Sequence, residues 1–294
     1  MIGEIGALGC APLWAISSIL LKSQTDKLDA LRINAIRGVL ASAFLLAVVL
    51  ISGKIDQLSS LSFSSIVYLW ASVIIGLVLG DTLYIKGMGI IGASKALPIS
   101  TIYPIFVLPF SVTIVGESLS LQTISGVFVT VLGLYLITAP KRGSSRMLSQ
   151  TARRQYWVGV SFILAASLCW AVGTTILRFA MIELDPILAG AIRMPFMTLV
   201  LFVVIGLRKK NTKKWNPGLS SLAILSLAGI LGIGLGGVLF MLGVKHAGPA
   251  KTAILSGTAP LFGVPLSVLI LHEKITLKIV LGTILCVMGI WFVI

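Results

Sequence analysis

The chain has 294 residues, 57% of them apolar and 11% charged, with 23 Lys and Arg against 9 Asp and Glu and a net charge of +14. Soluble domains carry roughly 25% charged residues, so a water-facing globule is excluded. Disorder is excluded as well, because it needs low hydrophobicity. Thirty glycines without a triplet period and three cysteines argue against collagen-like and disulfide-scaffold chains. The solvent that suits this composition is a bilayer.

A membrane-spanning helix needs about 20 mostly apolar residues. In chain order, stretches of that kind run over 4–21, 33–52, 64–86, 93–115, 121–139, 157–180, 186–207, 219–244, 249–271 and 277–294. They predict an all-α integral membrane protein with ten transmembrane helices, since the runs are continuously apolar and do not alternate as barrel strands do. The first stretch has no basic residue ahead of it and no small-residue cleavage site before Lys22. It therefore reads as a retained helix and not as a signal peptide. Cys10, Cys169 and Cys286 fall inside spans without a CxxC pair, which suits packing better than a metal or a disulfide.

Sliding the sequence along itself gives one ungapped register, residues 1–138 on 157–294, with 36 identities in 138 pairs. Trp14 matches Trp170, Asp29 matches Asp185, and Ala35-Ile36-Arg37 matches Ala191-Ile192-Arg193. Gly76 and Gly80 match Gly232 and Gly236, while Lys95, Ser100, Pro104, Pro109 and Glu117 match Lys251, Ser256, Pro260, Pro265 and Glu273. The expected organisation is a first five-helix repeat over 1–139, a polar linker over 140–156 and a second five-helix repeat over 157–294. An odd number of spans per copy turns the second copy over, and inverted repeats of this kind are a transporter signature.

Charge gives a topology. Connections after odd-numbered spans hold 18 of the 23 basic residues, and the other face holds five: Lys54, Arg178, Arg193, Lys245 and Lys251. The positive-inside rule then puts both termini outside the cell membrane. Basic residues confined to short loops point to lipid headgroups and not to nucleic acid as partners. No oligomeric state is legible.

A Trp-Ala in the first helix of each half and a Pro followed by "GE" or "HE" after the fourth carry a family resemblance. The segments are GASKALPISTIYPIFVLPFSVTIVGESLS and GPAKTAILSGTAPLFGVPLSVLILHEKIT. The chain resembles the EamA-type transporters of the drug/metabolite transporter superfamily. That resemblance implies a secondary carrier with a central cavity, often exporting amino acids, metabolites or drugs, and it implies cytoplasmic termini, against the charge count. Small multidrug exporters of the superfamily carry a proton-coupling Glu well inside the first helix. Here the first-span acid is Glu4, near the membrane edge, and its repeat mate is Val160, so cation exchange by that route is not expected.

Several residues could serve a carrier. Lys95 and Lys251 begin the fourth and ninth spans, where each either snorkels to headgroups or charges one mouth of a cavity. Arg37 and Arg193, a turn inside their spans, read as interfacial anchors. Pro104 and Pro260 each free the carbonyl four residues earlier, on Ser100 or Ser256, which makes these helices candidate cavity walls with a hinge. Asp81 is an acid at the end of an apolar span, a candidate for proton coupling or a partner for Lys86. Tyr84 lies on the same helix face, and with Tyr103, Trp14 and Trp170 it could stack on a flat solute. Gly76-xxx-Gly80 and Gly232-xxx-Gly236 suit close helix packing. Glu117 and Glu273 are placed to cap the fifth and tenth spans.

The favoured function is a secondary-active exporter of small organic solutes such as amino acids, working by alternating access and needing no cofactor. No GxxxxGK[ST] offers an ATP site. A lipid scramblase or membrane scaffold is the alternative. A membrane-embedded enzyme is disfavoured, because the HEKIT string at 272–276 has Thr where a zinc helix needs its second His, and no GxSxG occurs.

Overall fold

A computed structural model describes residues 1–116, 120–138, 150–182, 184–208 and 217–292. Among these residues there is helix but no strand. The helices are α1 (Ile2–Lys22), α2 (Ala30–Ile51), α3 (Phe63–Ile91), α4 (Ala93–Val115), α5 (Leu121–Thr138), α6 (Gln150–Ala180), α7 (Pro186–Leu207), α8 (Leu219–Ala247), α9 (Pro249–Leu271) and α10 (Leu277–Trp291). Among the described residues, eight of them, α1 to α4 and α6 to α9, are long and apolar enough to cross a membrane. The protein is thus an all-helical, multi-pass membrane protein. Two boundaries differ from those expected by five residues or more: α3 runs on to Ile91 through the apolar Gly-Met-Gly-Ile-Ile, and α6 starts at Gln150, inside the segment read as linker.

Local chemistry explains where helices start and bend. Asp29 caps α2 by accepting from the Arg32 amide at 3.2 Å, and Asp185 caps α7 by accepting from Ile187 and Leu188 at 2.9 and 3.3 Å. Each carboxylate satisfies amides that a helix start leaves orphaned. A π-helical stretch interrupts α3 at Ile74–Asp81 and α8 at Ile230–Leu235. Gly92 and Gly248, at φ +87° and +83°, separate α3 from α4 and α8 from α9 by a sharp break that a residue with a Cβ would resist. Inside α4 the helix breaks at Thr101 and Ile102, and inside α9 at Gly257 and Thr258. Pro104 and Pro260 lie in the first turn of the second half-helix, where a missing N–H costs nothing. These features recur at positions 156 apart, as with Gly92 and Gly248 (248 − 92 = 156).

Small residues set the helix contacts, as they must where lipid removes most of the hydrophobic drive between helices. A Cβ on Gly6 would sit 2.7 Å from the Leu239 carbonyl, where α1 crosses α8. On Gly173 it would sit 2.9 Å from the Ser72 carbonyl, where α6 crosses α3. α2 packs along α7 and α5 along α10. Large apolar side chains such as Leu199, Val203 and Leu269 stay exposed on the outside, where a bilayer would cover them.

Candidate functional site: a central cavity

All eight long helices contribute to one cavity of about 160 Å³ in the middle of the protein. α1 brings Trp14, Ser17 and Ser18, α3 brings Gly76, Asp81 and Tyr84, and α4 brings Ser100 and Tyr103. α6 adds Trp170 and Thr174, α8 adds Gly237, Phe240 and Met241, α9 adds Ser256 and Pro260, and α2 and α7 supply Arg37 and Arg193. The walls are mostly apolar and aromatic with a few convergent polar groups, the usual make-up of a small-molecule site.

Two aromatic pairs face each other across the sequence repeat. Trp14 lies against Phe240 with ring centroids 5.0 Å apart, and Trp170 against Tyr84 at 5.1 Å. Tyr103 meets Trp170 edge-on at 6.3 Å and shares a 3.0 Å hydrogen bond with Thr174, while the Tyr84 hydroxyl donates to Ser18 at 3.3 Å. Each tryptophan packs on a glycine of the opposite half. A Cβ on Gly80 would lie 2.9 Å from the Trp170 ring, and one on Gly236 would lie 3.0 Å from the Trp14 ring. These glycines therefore do more than let helices touch, because they seat the cavity tryptophans.

The charged centre is Arg37 with Asp81. Arg37 donates Nη2–H to Asp81 Oδ2 and Nε–H to Asn34 Oδ1, the latter at 2.9 Å. Trp170 donates its indole N–H to Asp81 Oδ1 at 2.7 Å. Asn34 in turn donates to the Leu77 carbonyl at 2.8 Å and to Thr82 at 3.0 Å, both around the π-helical stretch of α3. The π turn carries Asp81 to a buried position in mid-helix, 7% exposed.

Several expectations need correction. Arg37 and Arg193 are not interfacial anchors: they are 4% and 6% exposed and line the cavity. Position along the helix does not reveal this, because the first turns of α2 and α7, at Leu31 to Gly38 and at Pro186 and Leu188 to Ala191, are already buried against neighbouring helices. Asp81 pairs with Arg37 and not with Lys86, whose ammonium lies 4.3 Å from the centre of the Phe162 ring. Glu273 does not cap the helix that follows it. Its carboxylate reaches α4 and accepts from Ala93 and Ser94 at 2.8 and 2.7 Å. Glu117 lies outside the described residues. Lys95 and Lys251 are not among the lining residues: Lys95 points at the Tyr156 ring at 5.2 Å, and Lys251 pairs with Glu4 at 3.5 Å. The hydroxyls of Ser100 and Ser256 donate to Leu97 and Ala253 at 2.7 and 3.1 Å. Pro260 lines the cavity, whereas Pro104, buried in α4, is not among the lining residues.

Arg37 and Arg193, absent from the set of expected binding residues, were recoverable from the repeat: an Arg retained in both copies inside an apolar span is costly in lipid unless it faces a polar interior.

A multi-pass helical membrane protein with a polar spot inside an aromatic cavity has the build of a membrane transporter. The chain is a member of the EamA-like transporter family, which it matches over residues 1–139 and 157–294. It is 23% identical over 292 residues to an uncharacterized transporter of Archaeoglobus fulgidus, covering 99% of this chain and 97% of that protein. A second uncharacterized transporter, from Methanothermobacter thermautotrophicus, is 21% identical over 289 residues, with coverage of 94% and 81%. A solved crystal structure shares the fold at a TM-score of 0.72 and 18% identity, over 99% of this chain and 96% of the other. Family and relatives mark a membrane transporter rather than an enzyme.

Proposed function

We propose that the protein is a secondary-active carrier that exports small organic solutes such as amino acids or related metabolites. The observation that carries this reading is a central cavity to which matching positions of both sequence halves contribute: Trp14 and Trp170, Arg37 and Arg193, Ser100 and Ser256. In this reading there are ten spans forming two inverted five-helix repeats, and exchange of their shapes opens the cavity to one side and then the other. Trp14, Tyr84, Tyr103 and Trp170 hold the flat or apolar part of the solute, with Ser100 and Ser256 as hydrogen-bonding groups. The breaks before Pro104 and Pro260 are the bending points. Asp81, the acid on the cavity lining, couples transport to protons. The charge bias of the loops supports termini on the outer side of the cell membrane.

Purified protein in proteoliposomes tests the reading. Counterflow of a labelled amino acid, accelerated by a pH gradient in the wild type and insensitive to that gradient in Asp81→Asn, is the expected result. Lipid movement between leaflets without any solute movement would favour a scramblase instead.

A further inference from the structure

Arg37 and Arg193 occupy equivalent positions in the two halves (193 − 37 = 156), and both guanidinium groups are buried on the lining of the same cavity. Their partners differ. Arg37 is ion-paired to Asp81 and hydrogen-bonded to Asn34. Arg193 has no carboxylate within ion-pairing distance among the described residues. Its Nη1 points at the Met241 sulfur at 3.4 Å, and its Nε has no hydrogen-bond partner.

The reason lies in the second copy. The position equivalent to Asp81 is Gly237 (237 − 81 = 156), on the cavity lining one turn before Met241 and on the same face of α8. A Cβ built on Gly237 meets nothing within 4 Å. The neighbouring tryptophan has adjusted accordingly: Trp170 donates to Asp81, but its equivalent Trp14 donates to the Gly232 carbonyl at 3.1 Å. The second half thus retains the cation, Phe240 packed against Trp14 of the first half, and open space where the first half has a carboxylate.

A guanidinium held away from bulk water is costly unless a counter-charge and hydrogen bonds compensate it. Its planar fork suits a carboxylate bidentately. The cavity lining carries Arg37, Arg193 and Asp81, two cations against one anion, so one further negative charge balances it. We propose that Arg193 and the space at Gly237 form the anchor for a substrate carboxylate, so that the carrier takes small organic acids or zwitterions whose apolar body lies against Trp14 and Phe240. This deepens the transport reading of the cavity and rests on it.

Trp14 and Trp170 make binding visible as a change in intrinsic fluorescence. The full-length protein in detergent is titrated with phenylacetate, its neutral isostere phenylacetamide and the cation phenethylamine. Phenylacetate is expected to bind at least tenfold more tightly than either of the others. Gly237→Asp supplies the missing carboxylate from within and should weaken phenylacetate binding at least tenfold. Equal affinity for acid and amide, no binding of phenylacetate, or wild-type phenylacetate affinity in Gly237→Asp would each overturn the assignment. The wild-type series decides alone if Gly237→Asp does not fold. Proteoliposome uptake separates the two levels of the argument. Phenylacetate bound but never transported sinks the carrier reading and leaves the carboxylate anchor standing. Uptake of acid and amide at equal rates sinks the anchor and leaves the carrier.

Discussion

The indole nitrogen of Trp170, on α6, donates to Oδ1 of Asp81, on α3, at 2.7 Å, while Oδ2 of the same carboxylate takes the guanidinium of Arg37 from α2. One side chain of the first half thereby ties together two of its own helices and a helix from the second half. Removing the acid leaves Arg37 buried without its counter-charge, a change that costs about 3–5 kcal/mol when a buried ion pair is broken. Asp81→Asn should therefore lower thermal stability strongly, and Arg37→Met combined with it should restore most of the loss. Trp170→Phe, which removes one hydrogen bond to a charged acceptor, should cost about 1.5–3 kcal/mol. If the double variant melts no higher than Asp81→Asn alone, the pair is not the source of the penalty.

Glu273 holds the start of α4 from 180 residues further along the chain, through the amides of Ala93 and Ser94. It does so beside Gly92, where a Cβ would come within 2.8 Å of the Glu273 carboxylate. The contact joins a charge to the positive end of a helix and satisfies two orphan amides. Glu273→Ala is expected to destabilise the protein by about 0.5–2 kcal/mol, the range of lost helix caps. Glu273→Gln, which keeps an acceptor but not the charge, should lose less. Hydrogen exchange localises the effect, with faster exchange at the amides of residues 93 and 94 and little change in α7.

That long-range cap shows which parts of the structure can be read from sequence. Helix positions follow from runs of apolar residues, a local property, and the caps at Asp29 and Asp185 follow from the residues next to them. Trp14, Tyr84, Tyr103 and Trp170 were legible as a group because aromatic side chains stand out against an aliphatic background, and Trp14 and Trp170 are repeat mates as well. The depth of Arg37 and Arg193 was not, because depth depends on where neighbouring helices end, which no count along one helix gives. Nor could Glu273 be assigned to α4, since the contact exists only once α9 folds back beside the break at Gly92.

Close helix crossings predict opposite outcomes for the same substitution. Gly6 faces the Leu239 carbonyl so closely that an added methyl would lie 2.7 Å away, whereas Gly206, near the end of α7, has nothing within 4 Å of the same methyl. Gly6→Ala should force α1 and α8 apart and destabilise the protein. Gly206→Ala removes only backbone freedom from a helix and should stabilise it by up to about 1 kcal/mol. Melting temperatures of the two variants, measured in one detergent, should fall on either side of the wild type. A Gly6→Ala protein as stable as the wild type would show that the crossing has slack.

The last prediction concerns pH and the Lys54–Asp185 contact. Lys54 Nζ lies 2.6 Å from Asp185 Oδ2, and the other carboxylate oxygen accepts from Ile187 and Leu188 at the start of α7. Partial burial by itself would raise the Asp185 pKa, but the hydrogen bond and charge of Lys54, together with the two amides, outweigh it and hold the acid below the usual aspartate range. A carboxylate whose pKa is lower folded than unfolded stabilises the fold fully above the unfolded value of about 3.9. That contribution fades as pH falls through the lower folded value. Asp185→Asn retains a cap but not the charge, so wild type should be the more stable at pH 6, and the gap should narrow steadily below about pH 4. The ion pair itself is worth about 1 kcal/mol or less, because both side chains keep more than a quarter of their surface exposed. Unfolding measured from pH 7 to pH 3 on both proteins checks this. A gap that stays constant, or widens in acid, would mean that the Asp185 charge does not stabilise the junction between α2 and α7.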